Sequence, residues 1–201
     1  MTVVILARTR MSGAKICIGG MSEEGQSFRL MNAQCNYHTN ACVYMVGERW
    51  HMTLQPCEGL EAPHLEDTAV LKSKLIGIEP NLRGFILHRA TPWTGGIDTI
   101  FEGKILFTYN GSGYISESGG LPGASTGFWI PNEDLQFSDH PRPAYSLRND
   151  CRYLAYVGTA KPEPVIRSGT LVRVSLAKWW KPRDADDSLE LRCYAQLSGW
   201  Y

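Results

Sequence analysis

The sequence predicts a mainly β chain built from two barrel-like units, and three observations carry that reading. Runs of β-branched and aliphatic residues open and close the chain, several of them alternating apolar with polar positions. Twenty glycines and eleven prolines interrupt it too often for long helices. No apolar run reaches the ~18 residues of a membrane-spanning helix.

Thr2–Arg8 is β-branched and aliphatic, Lys15–Gly19 is short and apolar, and Glu23-Glu24-Gly25 supplies a turn before Ser27–Asn32, which together read as a β-meander. In Arg49–Pro56, Trp50, Met52 and Leu54 share one face opposite Arg49, His51, Thr53 and Gln55, so this strand is half buried and Trp50 belongs to a core. An acidic connection from Glu58 to Asp67 leads into Thr68–Ile78. Helix is expected only within Leu71–Ala90, in short pieces, because Gly77, Pro80 and Gly84 break the run.

From Thr91 to Pro143 the chain is rich in Gly, Pro and Ser, with short strands such as Lys104–Tyr109 and Thr126–Ile130 and a mobile loop at Gly111–Gly127. Strand signals return at Cys151–Gly158, Thr170–Ala177 and Leu189–Leu197. In the last, Leu189, Leu191, Cys193, Ala195 and Leu197 face a core while Glu190, Arg192, Tyr194, Gln196 and Ser198 face away. Asp184–Asp187 is then a hairpin loop. The division that follows is a first barrel at 1–90, a Gly/Pro-rich connection at 91–143 and a second barrel at 144–201.

Twenty basic residues balance twenty acidic ones, and the 43% hydrophobic fraction is that of an ordinary globular chain. A broad basic coat for nucleic acid is thereby excluded. Between Pro141 and Arg183, however, nine basic residues face two acidic ones, an asymmetry that suits a polyanion. The opening MTVVILARTR lacks the early basic region and cleavage site of a secretory signal, so a cytoplasmic location is expected. The six cysteines are accordingly expected to be reduced.

Signatures of catalysis are scarce. Walker, Rossmann, nucleophile-elbow, zincin and deaminase patterns are all missing from the sequence. Cys35, His38 and Cys42, with His51 or Cys57 downstream, form the one zinc-like arrangement, but its irregular spacing suits a polar loop better. No metal or cofactor is expected. His64, Glu66 and Asp67 lie in one acidic stretch without a nearby lysine, which does not make a hydrolytic site. Six Trp and nine Tyr could instead supply stacking surfaces. Of the Trp179-Trp180 pair, flanked by Lys178 and Lys181, at most one ring can point into a core along a strand.

The opening VVILARTRMSGAKICIGGMSEEGQSFRLMN resembles the first unit of bacterial dual-OB-containing domain proteins, and the end resembles their second. There RYLAYVGTAKPEPVI, LVRVSLAKWW and CYAQLSGWY look like the family's closing strands, with Val174-Ser175-Leu176 and Cys193-Tyr194 at its most recognisable positions. Pro63-His64-Leu65-Glu66-Asp67 extends the match. The chain departs from the family pattern at Phe28-Arg29-Leu30 and at Ala177-Lys178-Trp179-Trp180. The resemblance implies two OB-like barrels packed together with short helical connections, and nucleic-acid recognition within bacterial systems that act against phage or other mobile elements. It implies no catalytic residues.

The resulting expectation is a non-catalytic accessory protein, not an enzyme, that binds single-stranded or structured nucleic acid beside an effector protein and away from membranes. Arg8, Arg10, Lys15 and Arg29 are the phosphate-contact candidates in the first barrel, with Arg148, Arg152, Arg173, Lys178 and Lys181 in the second. Tyr153, Tyr156 and Trp179 are the stacking candidates. The competing expectation, favoured by zero net charge, is a protein-interaction or scaffolding subunit of a larger complex.

Overall fold

A computed structural model describes residues 1–182, 186 and 188–201. These form two compact units, Met1–Thr91 with Val157–Ala160 and Tyr201, and Pro92–Tyr156 with Lys161–Trp200. Both are mostly β. Among the described residues no helix is long and apolar enough to cross a membrane.

The first unit contains β1 (Thr2–Arg10), β2 (Lys15–Ser22), β3 (Ser27–Met31), β4 (His38–Thr39), β5 (Glu48–Pro56) and β6 (Asp67–Ile78). β1 pairs antiparallel with β2 and β5, β2 with β3, and β5 with β6, while β3 runs parallel to β6. Five strands thus close into a ring in the order of an OB barrel. Alternate residues fill it: Val3 and Ile5, Ile16 and Ile18, Phe28 and Leu30, Trp50 and Met52 form one buried cluster, as the two-residue period requires. Gly20 lies so close to β1 that a Cβ there would sit 2.6 Å from the Val3 side chain, which only glycine avoids.

Two expectations are corrected in this unit. Leu71–Ile78 is strand, not helix, because β5 supplies a pairing partner along it; the helix is confined to α1 (Leu82–Leu87), capped by the Asn81 side chain accepting from the Gly84 N–H at 2.9 Å. A disulfide joins Cys35 to Cys57, 22 positions apart. β3 and β5 end on opposite sides of the same residues of β6, Thr68 and Ala69, so the pairing is a product of topology. It also occupies two of the five residues considered as zinc ligands, and Cys17, Cys42, Cys151 and Cys193 stay outside the disulfide.

The second unit contains β7 (Trp93–Gly95), β8 (Leu106–Phe107), β9 (Gly113–Ile115), β10 (Thr126–Pro131), β11 (Leu135–Ser138), β12 (Ala144–Leu147), β13 (Tyr153–Tyr156), β14 (Val165–Ile166), β15 (Val172–Leu176) and β16 (Cys193–Trp200). β10 and β11 are consecutive and act as one bent arm, pairing with β15 at one end and β12 at the other. From that arm the ring runs through β12 and β13, crosses in parallel to β16 and returns antiparallel through β15. This repeats the order of the first barrel. Residues 92–143 supply β7 to β11 of this unit.

The segment read as a mobile loop contains β9, which pairs with β16 and β8. Gly111 at its start has φ +84°, and a Cβ there would lie 1.9 Å from the Cys151 carbonyl oxygen, so the glycine marks a close backbone approach. The core gathers Phe101, Ile115, Trp129, Tyr145, Leu154 and Leu197, among others. The hairpin loop expected at Asp184–Asp187 lies, apart from Asp186, outside the described residues.

Candidate nucleic-acid interface

The two barrels differ in what they leave open. In the first, β2 from Ile18 onward and β3 from Phe28 onward are buried on both faces. In the second, β13 and the first half of β16 alternate: Leu154, Tyr156, Cys193, Ala195 and Leu197 point into the core, while Tyr153, Ala155, Tyr194 and Gln196 stay partly exposed. A strand with one wet face reads this way. Cross-strand register sets Ser146 against Tyr153, Ala155 against Gln196 and Tyr194 against Tyr114. These side chains therefore share one open face spanning β12, β13, β16 and β9.

Aromatic rings line one end of it. The Tyr114 and Tyr194 centroids are 6.2 Å apart, and Trp180 meets Tyr194 edge-on at 6.0 Å. Trp180 is 53% exposed and is fixed by two backbone hydrogen bonds exchanged with Arg192, each 3.0 Å. The Arg192 guanidinium carbon sits 4.3 Å from the Tyr114 ring centre. At the far end the Arg142 guanidinium lies 5.7 Å from the Tyr153 ring centre and donates to the Tyr153 hydroxyl at 3.1 Å. Beside it a solvent-open cleft is lined by Ser138, His140, Arg142, Ser146 and Tyr153, among others. Asp150 borders this cleft, and its hydrogen bonds from Arg152 hold its carboxyl below the usual carboxylate range. Two arginine–tyrosine pairs thus bracket the face, a combination that can neutralise phosphates and stack bases.

The predicted site residues fall into three groups. Tyr153 is on the face, and Arg152 lies beside it, ion-paired to Asp150 at 2.8 Å and 5.2 Å from the Phe107 ring centre. Arg10, Lys15, Arg148 and Lys178 are exposed, and Lys181 is half-buried. The others are engaged within the fold, Arg8 and Trp179 half-buried and the rest buried. Arg29 is 6% exposed, pairs with Asp67 at 2.9 Å and hydrogen-bonds His64 at 3.2 Å. Arg173 is buried and donates to Ser198 Oγ at 3.0 Å. Arg8 donates to the Asn40, Cys42 and Tyr44 carbonyls at 3.0, 2.7 and 3.1 Å. Tyr156 belongs to the core, and Trp179 packs against that core, so the tryptophan presented outward is Trp180.

Arg142, Arg192, Tyr114, Tyr194 and Trp180 were outside the predicted set. The alternation of Leu189–Leu197 already places Arg192 and Tyr194 on the outer side of their strand. Tyr114 carried no local signal, since its position depends on pairing with Tyr194, 80 residues later.

β12 and β13 are the second and third strands of their ring, Arg142 lies on the loop between the first and second, and Trp180 and Arg192 flank the connection between the fourth and fifth. Those are the strands and loops through which OB barrels take their ligands. Fold and face together define a protein of two OB-type barrels. The chain belongs to the dual OB-containing domain family, whose model matches residues 1–200. Comparison with curated proteins and with solved structures returned no match.

Proposed function

We propose that the protein is a non-catalytic nucleic-acid-binding accessory subunit that holds a single strand on the open face of its second barrel. The observation that carries this reading is the row of Tyr114, Tyr194 and Trp180 with Arg192 against it. Rings offer every base a π-face at about 1–3 kcal/mol each, and the guanidiniums meet the backbone, so the site is tolerant of sequence. Stacking and charge neutralisation account for the whole face, and binding leaves the strand chemically unchanged. Zero net charge fits a ligand gripped at one patch rather than along a basic coat. Family resemblance supports a place beside an effector protein in a bacterial system directed at phage or other mobile elements.

Fluorescence anisotropy of labelled single strands across a salt series tests this. Affinity should fall as salt rises, with a logarithmic slope of about −0.7 per phosphate neutralised, and the strand should be recovered intact. Failure to bind at low salt would leave the scaffolding reading, which the exposed aliphatic side chains of β6 favour.

A further inference from the structure

We propose that the outer edge of β6 receives an extended, acid-bearing segment of a partner protein, which adds to the first barrel as a further strand. This goes beyond the nucleic-acid reading and does not depend on it. β6 runs from Asp67 to Ile78, but its parallel partner β3 is paired only with Asp67, Thr68 and Ala69. From Val70 to Ile78 it is paired with β5 on one side, and no strand is paired with its other side among the described residues. Along an antiparallel pair, alternate residues turn their N–H and C=O groups away from the partner. Those outward groups on β6 form a template for another strand.

The exposed side chains of β6 support the same reading. Two register breaks in the β5–β6 pairing leave Leu71 and Ile76 as extra residues of β6 with no opposite number in β5. Leu71, Leu75, Ile76 and Ile78 are 45, 47, 49 and 72% exposed, and Val46 adds to them beside the end of β6, where Glu79 donates to the Gly47 carbonyl at 2.7 Å. Such a concentration of solvated aliphatics marks an interaction surface.

Charge selects the occupant. Lys72 and Lys74 are the charged residues between Val70 and Ile78, and no acid lies among them. A second copy of the edge would crowd four ammonium groups into one short ribbon, the usual device by which edge lysines oppose self-pairing. A strand alternating aliphatic with Glu or Asp side chains satisfies the backbone, the apolar rim and both lysines together.

The probe is a fluorescein-labelled peptide alternating valine and glutamate, titrated into the full-length protein beside a valine–lysine counterpart. The acidic peptide should bind saturably and slow amide exchange within 70–78. Reversing Lys72→Glu and Lys74→Glu should weaken it about fivefold, the worth of two exposed ion pairs, and leave single-strand affinity unchanged. Backbone N-methylation of the peptide should abolish binding. Equal binding of the lysine peptide, exchange protection elsewhere, or a concentration-dependent dimer protecting this edge would overturn the proposal. So would loss of single-strand binding in the charge-reversed variant, because the edge would then belong to the nucleic-acid site.

Discussion

Arg192 and Tyr114 are far apart in sequence, yet the guanidinium carbon of one lies 4.3 Å from the ring centre of the other. Neither is needed to fill the core, so substitutions here report on ligand binding. Tyr114→Ala, Tyr194→Ala and Trp180→Ala should each weaken single-strand binding by about 1–3 kcal/mol across all sequences. Arg192→Ala should weaken it too and reduce the salt slope by about one, whereas the aromatic variants should keep the slope. Anisotropy at several salt concentrations separates the two effects. An unchanged affinity in Trp180→Ala would remove the stacking row from the site.

Arg29 makes the opposite case. Its guanidinium is buried against Asp67 at 2.9 Å and Glu66 at 3.9 Å, both carboxylates being almost inaccessible. Arg29→Met removes the buried cation that these carboxylates face and should cost about 3–5 kcal/mol of unfolding free energy in urea. Removing Asp67 as well, as Arg29→Met with Asp67→Leu, should recover part of that loss. Nucleic-acid affinity per folded molecule should stay the same, and a fall would return Arg29 to the binding set.

Local periodicity explains what was legible. Trp50, Met52, Cys193, Ala195 and Leu197 alternate with polar neighbours, and each points inward as its strand period requires. Arg29 and Arg173 read as surface cations because a charge reveals nothing of its partner: Asp67 lies 38 positions from Arg29. Leu71, Leu75, Ile76 and Ile78 fit helix and strand spacing almost equally, and only β5 decides between them. Trp179 and Trp180 present a binary choice that depends on where β15 ends, at Leu176. The family resemblance covered both barrels through their short strand motifs, but it said nothing of which barrel keeps a face open.

The Cys35–Cys57 bridge leaves four thiols, of which Cys151 is exposed and Cys193 buried. Protein isolated without reductant should titrate four thiols in denaturant and six after reduction, with Cys151 reacting first in the native state. Cys35→Ser with Cys57→Ser should lower stability by about 3 kcal/mol, as expected for opening a loop of this length. Six thiols before reduction would show that the bridge does not form in the compartment of synthesis.

Tyr145 ties alkaline stability to burial. Its ring is 1% exposed among Phe137, Tyr156 and Trp200, and its hydroxyl donates to the Glu163 carbonyl at 2.9 Å. Burial, with the neighbouring Tyr156 as a lesser cause, pushes its pKa up to about 12. An unfolded tyrosine ionises near pH ~10, so above that value the unfolded chain releases a proton that the folded chain retains. The stability contributed by the protonated side chain is therefore complete below about pH 10 and drains away as pH rises through 12. Tyr145→Phe has no proton to lose and gives up one hydrogen bond, worth about 1 kcal/mol at neutral pH. Urea unfolding of both proteins at pH 8 and pH 11 should show the wild type ahead at the lower pH and losing that lead at the higher. A constant difference between them would mean that Tyr145 ionises in the folded protein as readily as in the unfolded chain.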